Sequence, residues 1–133
     1  WFCRQFRLIY SGIRIEKRVS INEQDMPENL KTTIFRILQE TFNNVAKHSR
    51  ADLIRLDLLQ DETSVKLTIQ DNGTGFEVEN RNKNAAYHGF GLPGLQERAE
   101  LSGGIFAIRS KKGKGTTVHV TWYYPATIPL PRA

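Results

Sequence analysis

Between Glu40 and Leu95 the chain carries three short groups of residues whose types suit the handling of a phosphorylated ligand. The first is Glu40-Thr41-Phe42-Asn43-Asn44-Val45-Ala46-Lys47-His48, the second Asp71-Asn72-Gly73-Thr74-Gly75-Phe76, the third His88-Gly89-Phe90-Gly91-Leu92-Pro93-Gly94-Leu95. Glu40 and Asn44 stand one helical turn apart. That pair suits a hard divalent cation, because Mg²⁺ takes one or two protein oxygens and leaves its other positions to phosphate and water. Lys47 adds a point charge for phosphate. An exposed polar helix face would carry the same residues, so this group alone does not separate the two readings.

Asp71, at a strand end, puts a carboxylate at the mouth of a pocket, where it can accept a hydrogen bond from an exocyclic amine such as adenine's. Gly73 and Gly75 let the backbone approach closely or take positive φ, although Asp-Asn-Gly is also ordinary turn chemistry. Gly89-x-Gly91-Leu92, opening a helix, offers free amides and the positive end of a dipole to an anion. It lacks the Gly-Lys-Ser/Thr ending of a P-loop and the glycine spacing of a dinucleotide fingerprint. The ordered combination points to a nucleotide held through a metal and backbone amides. His48, His88 and His119 share no ligand spacing with a cysteine or carboxylate, which argues against zinc, and no Ser-His-Asp arrangement stands out.

These groups need elements to hold them. Ile13, Ile15, Val19 and Ile21 alternate with polar residues, the period of a half-buried strand. Asp25-Met26-Pro27 punctuates, with Pro27 placed near a helix start. From Glu28 to about Ser49, Leu30, Ile34, Ile37, Leu38 and Val45, flanked by Phe35 and Phe42, recur at helical spacing. At about 100° per residue, Glu40, Asn44 and Lys47 fall within roughly 60° of one another with His48 beside Asn44, one polar stripe along the buried face. Leu53 to Leu59 and Val65 to Ile69 read as a hairpin across Gln60 to Ser64. Residues 77–88 are polar and aperiodic, and a loop of that length is usually functional or mobile. Gly91 to Ser102 reads as a second helix stopped by Gly103-Gly104. Ile105 to Ile108 then pairs with Thr117 to Trp122 across the turn Lys111 to Gly115.

The 133 residues fit one domain, at 39% hydrophobic and 25% charged, a balance that favours a folded globule over disorder. Residues 1–12 are expected to close an upstream linker helix, 13–123 to form the domain, and 124–133, with Pro125, Pro129 and Pro131, to form a flexible tail. The opening Trp1-Phe2-Cys3, with neither Met nor a secretory signal, reads as a piece of a longer protein. A single Cys3 leaves no internal disulfide and points to a cytoplasmic setting. No stretch approaches the roughly 18 apolar residues of a membrane span, so no membrane contact by this domain is expected. The net charge of +5 would suit nucleic acid, but its lysines and arginines are spread over segments that read as solvated faces and a hairpin loop. The thirteen aromatic residues do not interleave with them as a stacking platform would, so a nucleic-acid partner is not expected.

Taken together, Gln39-Glu40-x-x-x-Asn44-x-x-Lys47-His48-Ser49, Asp71-Asn72-Gly73-x-Gly75-Phe76 and Gly89-x-Gly91-Leu92-x-Gly94-Leu95-x-Glu97-Arg98 resemble the ATP-binding domain shared by gyrases, heat-shock chaperones, histidine kinases and mismatch-repair ATPases. Within it they are most similar to the catalytic domain of nitrate-sensor-like histidine kinases, over about Ile13 to Trp122. The resemblance implies an α/β fold, a two-layer sandwich whose mixed, mostly antiparallel sheet carries its helices on one face. It implies ATP and Mg²⁺, with Asn44 on the metal, Glu40 holding a metal-bound water, and Lys47 and His48 near the phosphates. Asp71 would bind adenine, Gly73 and Gly75 would shape that wall, and Thr116 would support it. Gly89, Gly91 and Leu92 would meet the phosphates, and residues 77–88 would be the lid. The phosphoacceptor histidine of such kinases lies on a separate dimerising hairpin, and a response regulator acts downstream. A serine kinase that binds a sigma factor, or a plain ATPase, is the alternative within the same fold.

Overall fold

The apolar periods become five strands and two helices, described over residues 12–75 and 92–123 of a computed structural model. In chain order they are β1 (Arg14–Ser20), α1 (Glu28–Asn44), β2 (Leu53–Gln60), β3 (Ser64–Asp71), α2 (Leu92–Leu101), β4 (Ile105–Lys111) and β5 (Gly115–Tyr123). The upstream helix end expected before Gly12, the loop over 77–88 and the tail over 124–133 lie outside the described residues.

The sheet order is β1-β2-β3-β5-β4. β1 runs parallel to β2, because the crossover between them passes through α1, and the other pairings are antiparallel. The expected mixed, mostly antiparallel sheet is therefore present. Its inner face carries Ile54, Leu56 and Leu58 from β2, Val65, Leu67 and Ile69 from β3, and Val118, Val120 and Trp122 from β5, all buried. Leu30, Ile34, Ile37 and Phe42 of α1 join Leu95 and Ala99 of α2 against them in one core. The intervening Arg55, Lys66 and Gln70 are exposed, as a period of two requires. On the edge strand β1 that pattern overstates burial, since Val19 is 50% exposed.

Helix α2 ends in a Schellman motif. Gly104 N–H donates to Ala99 O (2.9 Å) and Gly103 N–H to Glu100 O (3.0 Å), with Gly103 at φ +88°. A Cβ on Gly104 would lie 2.8 Å from both Trp122 Nε1 and Val120 Cγ1, so this glycine lets the helix end close onto β5. Trp122 Nε1–H then donates to Ser102 Oγ at 2.8 Å.

Helix α1 departs from its sequence pattern. The helix is expected to run from Glu28 to about Ser49, yet the α-helix ends at Asn44 and Val45–Ser49 form a π-helical turn. A turn closed i to i+5 holds more residues than an α-turn, so Lys47 and His48 do not continue the polar stripe at the angle an α-helix would give them. The chain then leaves through Arg50 at φ 58°, a left-handed conformation normally taken by glycine. Arg50→Gly relieves a strain of about 1–2 kcal/mol at an entropic cost of about 0.5–1 kcal/mol. The expected result is a domain more stable by about 0.5–1 kcal/mol, read as a raised urea midpoint; an unchanged or lowered midpoint would show that Arg50 carries no such strain.

Candidate nucleotide site

Alternation along β3 places Asp71 on the inner face, one step beyond the apolar run Val65, Leu67 and Ile69. It is 7% exposed, and its Oδ1 accepts the Gly73 N–H at 2.7 Å. Burial pushes its carboxyl above the ordinary value of 3.8, and the opposing N–H groups of Gly73 and Thr116 do not offset that. Thr116 faces Asp71 across the β3–β5 ladder, and Ser110 faces Thr116 across β4–β5, their hydroxyls 2.7 Å apart. A polar row, Asp71-Thr116-Ser110, thus closes one end of an otherwise apolar sheet face.

The turn after Asp71 is gripped from two sides. A Cβ on Gly73 would stand 2.3 Å from Ser49 O, and Thr74 N–H donates to that oxygen at 2.6 Å, which fastens the turn to the end of the π-helical segment. Gly75, at φ +65°, would drive a Cβ to 2.2 Å from Lys111 O, and Gly113 N–H donates to Thr74 O, so the β4–β5 turn closes over the other side. Packing alone therefore requires both glycines, before any ligand is considered. Asn72 has a structural task too. Its Oδ1 accepts the N–H groups of Asp52 and Leu53, both at 3.1 Å, and its Nδ2 donates to Asp52 Oδ1 at 2.7 Å, tying the turn to the start of β2.

Glu40 and Asn44 are half-buried on α1. Glu40 Oε1 lies 3.3 Å from Arg98 Nε of α2, and a Cβ at Gly94 would come within 3.9 Å of Glu40 Oε2. An ion pair with side chains more than a third exposed adds at most about 1 kcal/mol to stability. What it supplies is direction, since it holds the carboxylate between the two helices. The pair gives Arg98 a structural task, whereas a side chain at Gly94 would meet Glu40 only at ordinary contact distance. Ser49 receives the turn that follows Asp71 through its backbone oxygen. Its Oγ–H donates to Val45 O at 2.9 Å and its Oγ accepts Ala51 N–H at 3.2 Å, a local pattern that no helical period reveals.

Lys47 and His48 are exposed on the π-helical turn, and Leu92 opens α2. Gly89 and Gly91 lie outside the described residues. His119 stands on the sheet face away from the helices, its Nδ1 2.8 Å from Thr68 Oγ1 and its Nε2 3.2 Å from Thr121 Oγ1. Among the described residues no three His, Cys, Asp or Glu side chains gather as a metal cage. Glu40 and Asn44 instead offer the one or two oxygens of a cation shared with phosphate. The donor set thus fits a nucleotide and its metal: a buried carboxylate at the end of β3 and half-buried side-chain oxygens on α1.

Residues 29–126 match the family described as Histidine kinase-, DNA gyrase B-, and HSP90-like ATPase. The oxygen sensor histidine kinase NreB of Staphylococcus carnosus is 30% identical over 117 residues, 88% of this chain and 33% of that protein. The signal transduction histidine-protein kinase/phosphatase UhpB of Salmonella typhimurium is 31% identical over 121 residues, 91% of this chain and 23% of that protein. The chain thus spans a third or less of the length of these curated relatives. A histidine kinase domain from the blue-light activated kinase EL346 of Erythrobacter litoralis superposes with a TM-score of 0.71 at 17% identity, covering 90% of this chain and 56% of that one, a likeness of fold.

Proposed function

Since the chain belongs to the histidine kinase-, DNA gyrase B- and HSP90-like ATPase family, we propose that it is the Mg-ATP-binding catalytic domain of a two-component sensor histidine kinase. The observation that carries this reading is the buried carboxylate of Asp71, whose Oδ1 accepts the Gly73 N–H at a strand end, in a chain that also holds Glu40 and Asn44 half-buried one turn apart on α1. Asp71 accepts the exocyclic amine of adenine, with Thr116 supporting it and Gly73 and Gly75 forming the wall. Asn44 would hold Mg²⁺, and Glu40, aimed by Arg98, would hold a water of that ion. Lys47 and His48 neutralise phosphate charge, while Gly89, Gly91 and Leu92 present backbone to the phosphates. The metal so held would supply Lewis-acid stabilisation of the phosphate charge.

The chain's residues position the reaction more than they take part in it, which is how phosphoryl transfer is usually catalysed. The bond between the γ-phosphorus and the β,γ-bridging oxygen breaks, a bond from an imidazole nitrogen to phosphorus forms, and ADP departs. The acceptor imidazole belongs to the dimerisation domain of the full protein, and a response regulator takes the phosphoryl group from it. Both partners act in the cytoplasm. Among the described residues no helix is long and apolar enough to cross a membrane.

Incubation with γ-labelled Mg-ATP tests this. The chain alone is expected to acquire no acid-labile label, and adding a dimerisation hairpin that bears the phosphoacceptor histidine is expected to give label on that hairpin. Stable labelling at His48, His88 or His119, or a hairpin that stays unlabelled, would overturn the assignment.

A further inference from the structure

Thr41 lies inside the first motif, between Glu40 and Asn44, yet nothing so far gives it a task. It is 6% exposed, and its Oγ1 is the single buried side-chain nitrogen or oxygen without a hydrogen-bond partner among the described residues. A helical threonine usually satisfies its hydroxyl on the carbonyl four residues back. The same helical stretch does this elsewhere: Thr33 Oγ1–H donates to Asn29 O at 2.9 Å and Ser49 Oγ–H to Val45 O at 2.9 Å. Thr41 does not. A valine would fill its place with the same shape and no orphaned hydroxyl, so the hydroxyl is costly unless something else completes it.

We infer that Thr41 is a ligand-contacting residue, its hydroxyl hydrogen-bonding the base of the bound nucleotide directly or through one ordered water. The inference rests on the nucleotide reading above. At about 100° per residue, Asn44 lies between Glu40 and Thr41 around the helix axis, with Thr41 about 60° to its core side. Burial grades among the residues of the candidate site: Thr41 and Asp71 are buried, Glu40 and Asn44 half-buried, Lys47 and His48 exposed. A nucleotide whose phosphates lie toward the exposed end and whose base reaches Asp71 brings its base, not its phosphates, to the depth of Thr41. A hydroxyl suits that place because it both donates and accepts, and so can match a ring nitrogen or a bridging water.

Thr41→Val and Thr41→Ser, compared with wild type, test the inference by calorimetric ATP titration and by thermal unfolding without nucleotide. Thr41→Val is expected to bind ATP about tenfold more weakly while its nucleotide-free midpoint rises by about 3 °C. Thr41→Ser should keep affinity within about threefold of wild type, since it restores the hydroxyl. A residue with only a packing role would move midpoint and affinity in the same direction. Wild-type affinity in Thr41→Val, or a lowered midpoint accompanying the weaker binding, overturns the role of Thr41 alone. A wild-type chain that binds no ATP overturns the nucleotide reading with it.

Discussion

Asp71→Asn is expected to bind ATP roughly 30- to 100-fold more weakly than the wild-type chain, the loss of a buried hydrogen bond combined with an opposed donor. The replacement is almost isosteric, so the effect is one of polarity. Gly73 N–H points at Oδ1 from 2.7 Å. An amide that keeps its oxygen there turns its NH₂ toward the adenine amine, and one that flips sets NH₂ against Gly73 N–H. Either orientation leaves a donor facing a donor in a dry place. Titration with a fluorescent ATP analogue measures the loss, and unchanged affinity would sink the adenine assignment.

The same substitution has a pH signature without ligand. Burial raises the Asp71 carboxyl in the folded state above its ordinary value of 3.8, so the folded chain holds this proton more tightly than the unfolded chain does. The corresponding stability is fully present below that ordinary value and is lost as pH rises through the folded one. The amide of the variant does not titrate in this range. Over a urea-unfolding series that starts below the ordinary aspartate range and runs toward neutrality, wild type should lose stability relative to Asp71→Asn, and a difference constant with pH would show that burial does not perturb the carboxyl.

Asn44→Ala should lower phosphotransfer to an added hairpin by about 10²- to 10³-fold, the scale of removing one group that stabilises transition-state charge. ATP affinity should fall by less than about fivefold, because base and wall contacts remain. The contrast follows from burial: Asn44 is half-buried on α1, one turn from Glu40, whereas Asp71 is buried at the end of β3. Single-turnover rates and equilibrium titration separate the two quantities. If affinity falls as far as rate, Asn44 is a contact to the nucleotide rather than to its metal.

The chain's local patterns determined a good deal. Periods of two and 3.6 residues located β2, β3, β5 and both helices, and Gly103-Gly104 marked the stop that proves to be a Schellman motif. Each of these depends on neighbours within a few residues, whose spacing is written directly in the chain. The candidates Glu40, Asn44 and Asp71 are proposed from the chain for a similar reason, since residue type and spacing are written in it.

Tertiary structure decided what joins segments far apart. Nothing in the run from Leu30 to Ser49 announces that the last five residues wind into a π-helical turn. It accompanies the anchoring of Ser49 O to Thr74 N–H, a long-range contact that must bring the helix end and the strand turn together. Arg98 reached Glu40 only when α2 packed against α1. Gly73 and Gly75 read as ligand-wall residues, yet the fold gives each a steric need of its own, against Ser49 and Lys111. The exposed end of β1 and the unpartnered hydroxyl of Thr41 are likewise products of burial. Burial and long-range hydrogen bonding are properties of the assembled layers, so a period along one segment carries no record of them.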